Sequence, residues 1–281
     1  MNSTTPTITL DVDLTNPGQF LACCGLLELA GRVDSGAIGW FDDRQFHVSG
    51  GGSQLLERLI RCKVTAILPR DAHDGSNGES ESSNEKEPKS PPVLLGEPFS
   101  LRLDWWEDEA AAEAGFKTWS AGMTIPGFFN GTTTGKGKRR KRGPSMRDHV
   151  ARHLPADRGL FQEAEAIEKP SPFNFDSRIS RNTAIDLGFL GKVTFAFSPA
   201  VELLALVGLQ RFRPRVVVRW ERNVYHAWSE PLPVATAAAV THGLVPALSC
   251  GTYSFSVKPR DAQGRYKAFG PAVLERSSIH V

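Results

Sequence analysis

Twice in this chain an alternating run of residues ends at a polar–Pro pair and passes into an apolar helix. The first is Thr7–Leu14 (TITLDVDL), then Asn16-Pro17 and FLACCGLLELAGR; the second is Lys192–Ser198 (KVTFAFS), then Ser198-Pro199 and VELLALVGL. A period of two is the signature of a strand with one face buried. Asn and Ser cap a helix by accepting from its first free N–H groups, and Pro at the first helical position gives up no N–H that the helix needs. The first helix is apolar nearly all round, which predicts deep burial.

The elements after each helix are also alike. After the first come GAIGWF and QFHV joined by Asp42-Asp43-Arg44, the amphipathic Ser53–Arg61, and the strand-like KVTAILP. After the second come Arg215–Glu221, Val224–Ser229, an Ala-rich helix over Pro231–His242 ending at Gly243, and Thr252–Lys258. Ala22-Cys23-Cys24-Gly25-Leu26 also matches Ala205-Leu206-Val207-Gly208-Leu209 inside the corresponding helices. The order β-α-β-β-α-β is that of a ferredoxin-like sheet with two helices on one face. The expectation is an α+β fold of two ferredoxin-like (βαββαβ) units in tandem, 1–70 and 191–281, with a long basic insertion between them.

The segments between the units differ from each other. Asp71–Pro92 is rich in Ser, Glu and Pro and lacks aromatics, which predicts a disordered acidic loop. Residues 93–190 form a connecting region, with an edge strand expected at Phe99–Leu103 and a helix at Glu107–Trp119. Within it, Thr134–Gly143 (TGKGKRRKRG) places six Lys or Arg among ten residues, although the net charge of all 281 residues is only +2. The acidic loop offsets the basic block in that sum. Pro126, Gly127, Gly131, Gly135, Gly137, Gly143 and Pro144 predict irregular backbone around the block. Ser145 then caps a helix carrying Arg147 in its first turn. A mobile run of Lys136, Lys138, Arg139, Arg140, Lys141 and Arg142, leading to a helix N-terminus with Arg147, suits a phosphate chain. Phe128, Phe129 and the threonines beside them are placed to touch bases or sugars. Such contacts carry no sequence information by themselves.

A second cluster, Pro172–Gly188 (PFNFDSRISRNTAIDLG), offers Arg178, Arg181 and Asn182, side chains able to read purine edges bidentately. The plainer reading of the same residues is a turn held by an Asp176–Arg178 pair. Arg211, Arg213, Arg215 and Arg219 are spaced by two or four and would share one face of a strand. Asp11 and Asp13 read as the solvent side of the first strand. His149 and His153 lie four apart on the helix after the basic block. With no carboxylate pattern beside them a metal site is not expected, though a His general base for RNA cleavage is conceivable. No phosphate-binding glycine loop, zinc-protease or serine-hydrolase motif occurs, and no cofactor is expected. The four cysteines, Cys23, Cys24, Cys62 and Cys250, form no CxxC pair and read as reduced, buried thiols. With no signal pattern at the N-terminus and no membrane-length apolar run, a cytoplasmic protein is expected.

Four phrases together, NPGQFLACCGLLELA, SPFNFDSRISRNTAIDLGF, PAVELLALVGLQRFRP and YSFSVKPRDAQGRYKAFGPA, resemble a CRISPR-associated protein family of the type I-U (I-G) effector operons. The resemblance is best to the divergent counterpart of the Cascade large subunit. It implies a ribonucleoprotein subunit that works with guide RNA and other Cascade subunits, recognises the protospacer-adjacent motif in target DNA, and is not itself a nuclease. Cutting would fall to a recruited helicase-nuclease. A tandem ferredoxin-like chain also fits the repeat-associated RNA-binding superfamily that supplies other Cascade subunits, some of which cut guide precursors with a His. Two alternatives therefore stand beside the binding role: a metal-independent endoribonuclease using His149 or His153, and a structural adaptor.

Overall fold

The computed structural model describes residues 5–68, 90–109, 111, 116, 124–134, 141–167, 169–179, 196–259 and 267–275. The chain is α+β. In chain order its elements are β1 (Ile8–Asp11), α1 (Pro17–Val33), β2 (Ile38–Asp42), β3 (Gln45–Ser49), α2 (Leu55–Arg61), β4 (Val64–Ala66), β5 (Val93–Leu95) and β6 (Leu101–Leu103). Next along the chain are α3 (Ile125–Asn130), β7 (Thr133–Thr134), β8 (Lys141–Arg142), α4 (Met146–Val150), β9 (Glu165–Ala166), β10 (Ala196–Phe197) and α5 (Pro199–Gly208). The last third holds β11 (Arg215–Val218), β12 (Arg222–Ala227), β13 (Leu232–Pro233), α6 (Val234–His242), β14 (Gly251–Phe255), β15 (Val257–Pro259), β16 (Lys267–Phe269) and β17 (Val273–Glu275).

The two polar–Pro pairs start helices as the sequence predicts. Asn16 Oδ1 accepts from the Gly18 and Gln19 amides at 3.1 and 3.4 Å, and Ser198 Oγ from Val201 at 3.4 Å. α1 and α5 pack on each other at the matched pentapeptides. A Cβ on Gly25 would overlap the Leu204 carbonyl oxygen, and one on Gly208 would overlap that of Leu21. Each glycine thus meets the carbonyl four residues before the other, so the repeat in the sequence is a reciprocal contact in space. Only glycine permits backbones this close.

The strands follow the repeat less faithfully. β1, β3 and β2 lie in the order β1-β3-β2, all antiparallel, as in a ferredoxin-like unit. The fourth strand of that unit, β4, instead starts a separate sheet, β4-β5-β6. At the opposite edge of the sheet, β2 takes a partner from the last third: β13 pairs there through Leu232 with Gly39 and Pro233 with Ile38. In the second half the order is β11-β12-β14-β17, with β14 directly beside β12, while β10 pairs with β9. The described strands therefore do not form two four-stranded ferredoxin-like sheets. The physical reason in the first half is local: Lys63 to Ala66 finds its partner in Val93–Leu95, and the Gly96 amide bonds the Lys63 carbonyl at 2.7 Å.

One core serves both halves. Phe20 of α1 stacks on Tyr225 of β12 with centroids 4.2 Å apart, and Trp228 meets Phe41 edge-on at 5.0 Å. Their polar atoms are satisfied across the seam: Tyr225 Oη donates to Leu14 O at 2.5 Å and Trp228 Nε1 to Gly39 O at 2.7 Å. Buried aromatics of this size dominate core energetics, at roughly 1.5–3 kcal/mol for each fully buried large apolar side chain.

Two expectations need correction. Cys250 is exposed, although Cys23, Cys24 and Cys62 are buried. Ser90–Pro92 belong to the folded body, not to a loop: Ser90 is buried, accepts from the Ile125 amide at 2.7 Å through Oγ, and from Trp106 Nε1 at 2.8 Å through its carbonyl. Residues 71–89 of the expected acidic loop lie outside the described residues, as does most of the helix expected at Glu107–Trp119; of the rest, Glu107 ends a 3-10 turn, Trp105–Glu107, while Glu109 and Ala111 are helical as expected. Among the described residues no helix is long and apolar enough to cross a membrane.

Candidate nucleic-acid interface

The Gly- and Pro-rich chain before the basic block is ordered, which corrects the irregular backbone expected there. Pro126 sits in the first turn of α3, where its missing N–H costs nothing, and Thr124 Oγ1 caps the helix by accepting from Gly127 at 3.1 Å. Gly131 stops it at φ 76°, and a Cβ there would overlap the Gly143 carbonyl oxygen. The chain then turns into the two-stranded hairpin β7–β8, pairing Thr133 with Arg142 and Thr134 with Lys141. The glycines and prolines are start, stop and crossing signals. Phe128 and Phe129 face inward and are fully buried, with Phe128 4.6 Å from the Phe173 ring, so they touch neither bases nor sugars.

The basic block is therefore carried across a hairpin. Lys136, Lys138, Arg139 and Arg140 lie between its strands, outside the described residues. Lys141 and Arg142 are exposed. Arg142 is steadied at its base: Nη2 donates to Asp148 Oδ2 at 2.7 Å and to Ser145 Oγ at 3.3 Å. Ser145 and Asp148 form a reciprocal capping box on α4, as the sequence suggests. Partial burial works to raise the Asp148 carboxyl; bonds from Ser145 and the Arg142 charge outweigh it and hold the group below the usual carboxylate range.

Arg147 is not at this surface, and the expectation of a phosphate contact there is overturned. Nε donates to Phe129 O at 2.7 Å, Nη1 to Ile60 O and Cys62 O at 3.1 and 2.6 Å, and Nη2 to Asn130 Oδ1 at 2.7 Å. The last carbonyls of α2 and α3 have no partners within their own helices, and one guanidinium meets them. Burial foremost lowers the pKa of Arg147 from its ordinary value.

The second cluster is likewise turned inward. Segment 172–177 crosses the N-termini of α1 and α5, close enough that a Cβ on Gly18 would overlap the Phe175 carbonyl oxygen. Asp176, wholly buried, accepts from Asn16 Nδ2 at 2.8 Å and from the Ser198 amide at 3.1 Å, so it ties together the two helix caps. Arg178 neutralises it through Nε at 2.9 Å and Nη2 at 2.5 Å, and Nη2 also reaches Phe161 O at 2.8 Å. The plainer reading of this stretch, a turn with an internal Asp–Arg pair, is the observed one, and Arg178 has its guanidinium committed. Arg181 and Asn182 lie outside the described residues.

Glu202 completes this arrangement. Its carboxyl accepts from the Phe173 and Asn174 amides at 2.8 and 3.1 Å through Oε2 and from the Asp176 amide at 3.0 Å through Oε1. Complete burial, with neighbouring Asp176 adding to it, raises its pKa to about 8, against the pull of the backbone bonds. A signal for it was in the sequence: a carboxylate inside an otherwise apolar helix must find partners.

The two histidines converge on a carboxylate that their spacing does not reveal. Glu165 Oε2 lies 3.0 Å from His149 Nδ1 and 2.7 Å from Arg152 Nη1, and Oε1 lies 2.5 Å from His153 Nε2. His149 is buried, and its other nitrogen meets Lys169 O at 3.3 Å. Burial works to raise Glu165, and the bonds from both histidines, with the Arg152 charge, hold it below its usual range. Among the described residues no group of three His, Cys, Asp or Glu is arranged to hold a metal ion.

The four arginines spaced by two or four do not share a strand face. Arg211 pairs with Glu28 and Arg213 with Asp108, both ahead of β11; Arg215 begins β11, and Arg219 lies beyond its end, 5.7 Å over the Trp220 ring. Asp11 and Asp13 follow the solvent-side reading: Asp11 accepts from Gln45 Nε2 at 2.9 Å, and Asp13 from Thr15 Oγ1 at 2.7 Å. Comparison with protein-family models, curated proteins and solved structures finds no match to this chain.

Proposed function

We propose that the chain is a non-catalytic nucleic-acid-binding protein. From the resemblance of its sequence we take it further, as a subunit of a type I CRISPR Cascade complex that contacts target DNA and its protospacer-adjacent motif. Its partners are then guide RNA, the other Cascade subunits and the recruited helicase-nuclease. The observation that carries the reading is the mounting of the basic block. The last two of its six cations, Lys141 and Arg142, form a described strand and are exposed, and Arg142 is anchored by Asp148 to a capped helix. A run of six cations close together in the chain binds a polyanion by releasing its counterions. Base reading in this proposal belongs to Arg181 and Asn182, with Arg178 and Arg147 as positioning residues. We read the two halves as relatives of the ferredoxin-like unit, supported by the β1-β3-β2 order and the reciprocal glycine contact of α1 with α5.

The test is replacement of Lys136, Lys138, Arg139, Arg140, Lys141 and Arg142 by Ala. Parent affinity for duplex and single-stranded DNA should fall steeply with salt, and the variant should lose at least about 100-fold for all sequences alike. Parent-like binding by the variant overturns the reading. The meeting of His149 and His153 on Glu165 keeps an endoribonuclease as a second reading. A discrete cut of repeat RNA in chelator, lost on His153→Ala, would establish it; binding of neither DNA nor RNA would favour an adaptor.

A further inference from the structure

A second cationic site stands on residues that the hairpin does not use. Glu28 of α1 has a side chain only 1% exposed, and it holds two guanidiniums. Arg32, one turn further along, donates Nε at 2.9 Å; Arg211, just past α5, donates Nε at 2.5 Å and Nη2 at 3.3 Å. Among the described residues no hydrogen bond engages either Nη of Arg32 or Nη1 of Arg211. Two positive charges on one carboxylate leave a net positive charge, and the fixed Nε atoms leave the outer N–H groups pre-oriented. They border a cavity of about 280 Å³ that Ser35, Val234 and Ala235 also line. Val234 and Ala235 begin α6, whose N-cap, Pro233, supplies no side-chain bond.

We propose that this cavity binds a phosphate group, and specifically a backbone phosphate of the strand that the hairpin grips; in this last step it rests on the nucleic-acid reading above. Guanidinium forks match phosphate oxygens bidentately, and Glu28 restrains both forks before the ligand arrives. The Ser35 hydroxyl adds a neutral donor, and the leading amides of α6 favour negative charge at the same spot. An acidic peptide would present planar carboxylates to a pair of forks. The tetrahedral phosphate, with oxygens facing several directions, better suits donors converging from three elements.

Ala235→Glu tests this without removing either arginine. Ala235 is exposed, and a carboxylate in the first turn of α6 favours the helix while occupying the place of the phosphate. Leu94→Glu, exposed on β5, makes the same change of net charge on another sheet. The full chain is titrated with a single-stranded oligonucleotide at several salt concentrations, and its Tm is measured with and without inorganic phosphate. Ala235→Glu should bind the strand about tenfold more weakly than Leu94→Glu, with a log affinity against log salt slope shallower by about 1. Inorganic phosphate should raise the Tm of the parent and of Leu94→Glu, but not of Ala235→Glu. Equal behaviour of the two variants in both assays overturns the proposal. Should the parent bind no strand at all, the nucleic-acid reading falls separately. Phosphate protection lost in Ala235→Glu would then keep the site as one for free phosphate, and its absence in the parent would remove the site.

Discussion

Arg142 and Arg147 lie five residues apart, on either side of one helix cap, and they do opposite things. Arg142 reaches outward and keeps one bond to Asp148 and one to Ser145; Arg147 reaches inward and makes four bonds to carbonyls and an amide. Nothing in their residue type separates them. What separates them is which way their elements face and whether unmet acceptors lie there. α2 and α3 end beneath Arg147, while the hairpin lifts Arg142 into solvent. Arg178 falls with Arg147, because Asp176 is buried under it. Positive charge in this molecule divides into rivets and contacts, and only the contacts are available to a ligand.

The largest effects should come from removing the rivets. Arg178→Ala leaves Asp176 buried without its cation, and a broken buried pair of this kind costs on the order of 3 kcal/mol. Arg147→Ala strands three carbonyls and should cost a similar amount, about 3 kcal/mol, at roughly 1 kcal/mol for each lost acceptor contact. Denaturant unfolding measures both. If either is neutral in stability but blurs sequence preference in DNA binding, the division is wrong for that residue.

The next effect is a pH dependence at the same clasp. The Glu202 pKa is raised from 4.5 to about 8, so the folded chain holds a proton that the unfolded chain has lost between those values. The stability this proton confers is fully present below pH 4.5 and is lost as pH rises through 8, with a limiting slope of about 1.4 kcal/mol per pH unit. Glu202→Gln should be the less stable protein at pH 5, because a carboxamide cannot accept from three amides that approach both of its ends. The gap to the parent should narrow by pH 8.5. A gap that stays constant from pH 5 to 8.5 would show that Glu202 is ionised in the fold and that the backbone bonds outweigh burial.

The smallest stability effects belong to the contacts. Arg142→Ala should change folding stability by no more than about 0.5 kcal/mol, since its ion pair with Asp148 is half in solvent. The same change should make the salt slope of DNA binding shallower by about 1. A large loss of stability with unchanged binding would move Arg142 among the rivets.

Much of this was legible in the sequence, and the failures have a common cause. Asn16, Ser198 and Ser145 were readable as caps, and Gly243, at φ 85°, as the stop of α6, because such signals depend only on neighbouring residues. Gly25 and Gly208 were readable as equivalent positions, though not as positions in contact. Pro126 and Gly131 were misread as irregular backbone, since a Pro in a first turn and a Gly at a helix end resemble loop composition. The role of Arg147 and the bond between the two helix caps were hidden because their partners lie far along the chain: Arg147 reaches back 87 residues to Ile60, and Asn16 meets Asp176 across 160. The fate of β4 was hidden for the same reason, as strand patterning names the buried face and not the neighbour.

The reciprocal glycine crossing has a mechanical consequence. Two backbones locked carbonyl against Cα leave no slack for rocking or sliding, so the halves of the molecule must travel as a single rigid piece. Any change of shape that accompanies binding must then arise in peripheral segments, not from a hinge at the centre.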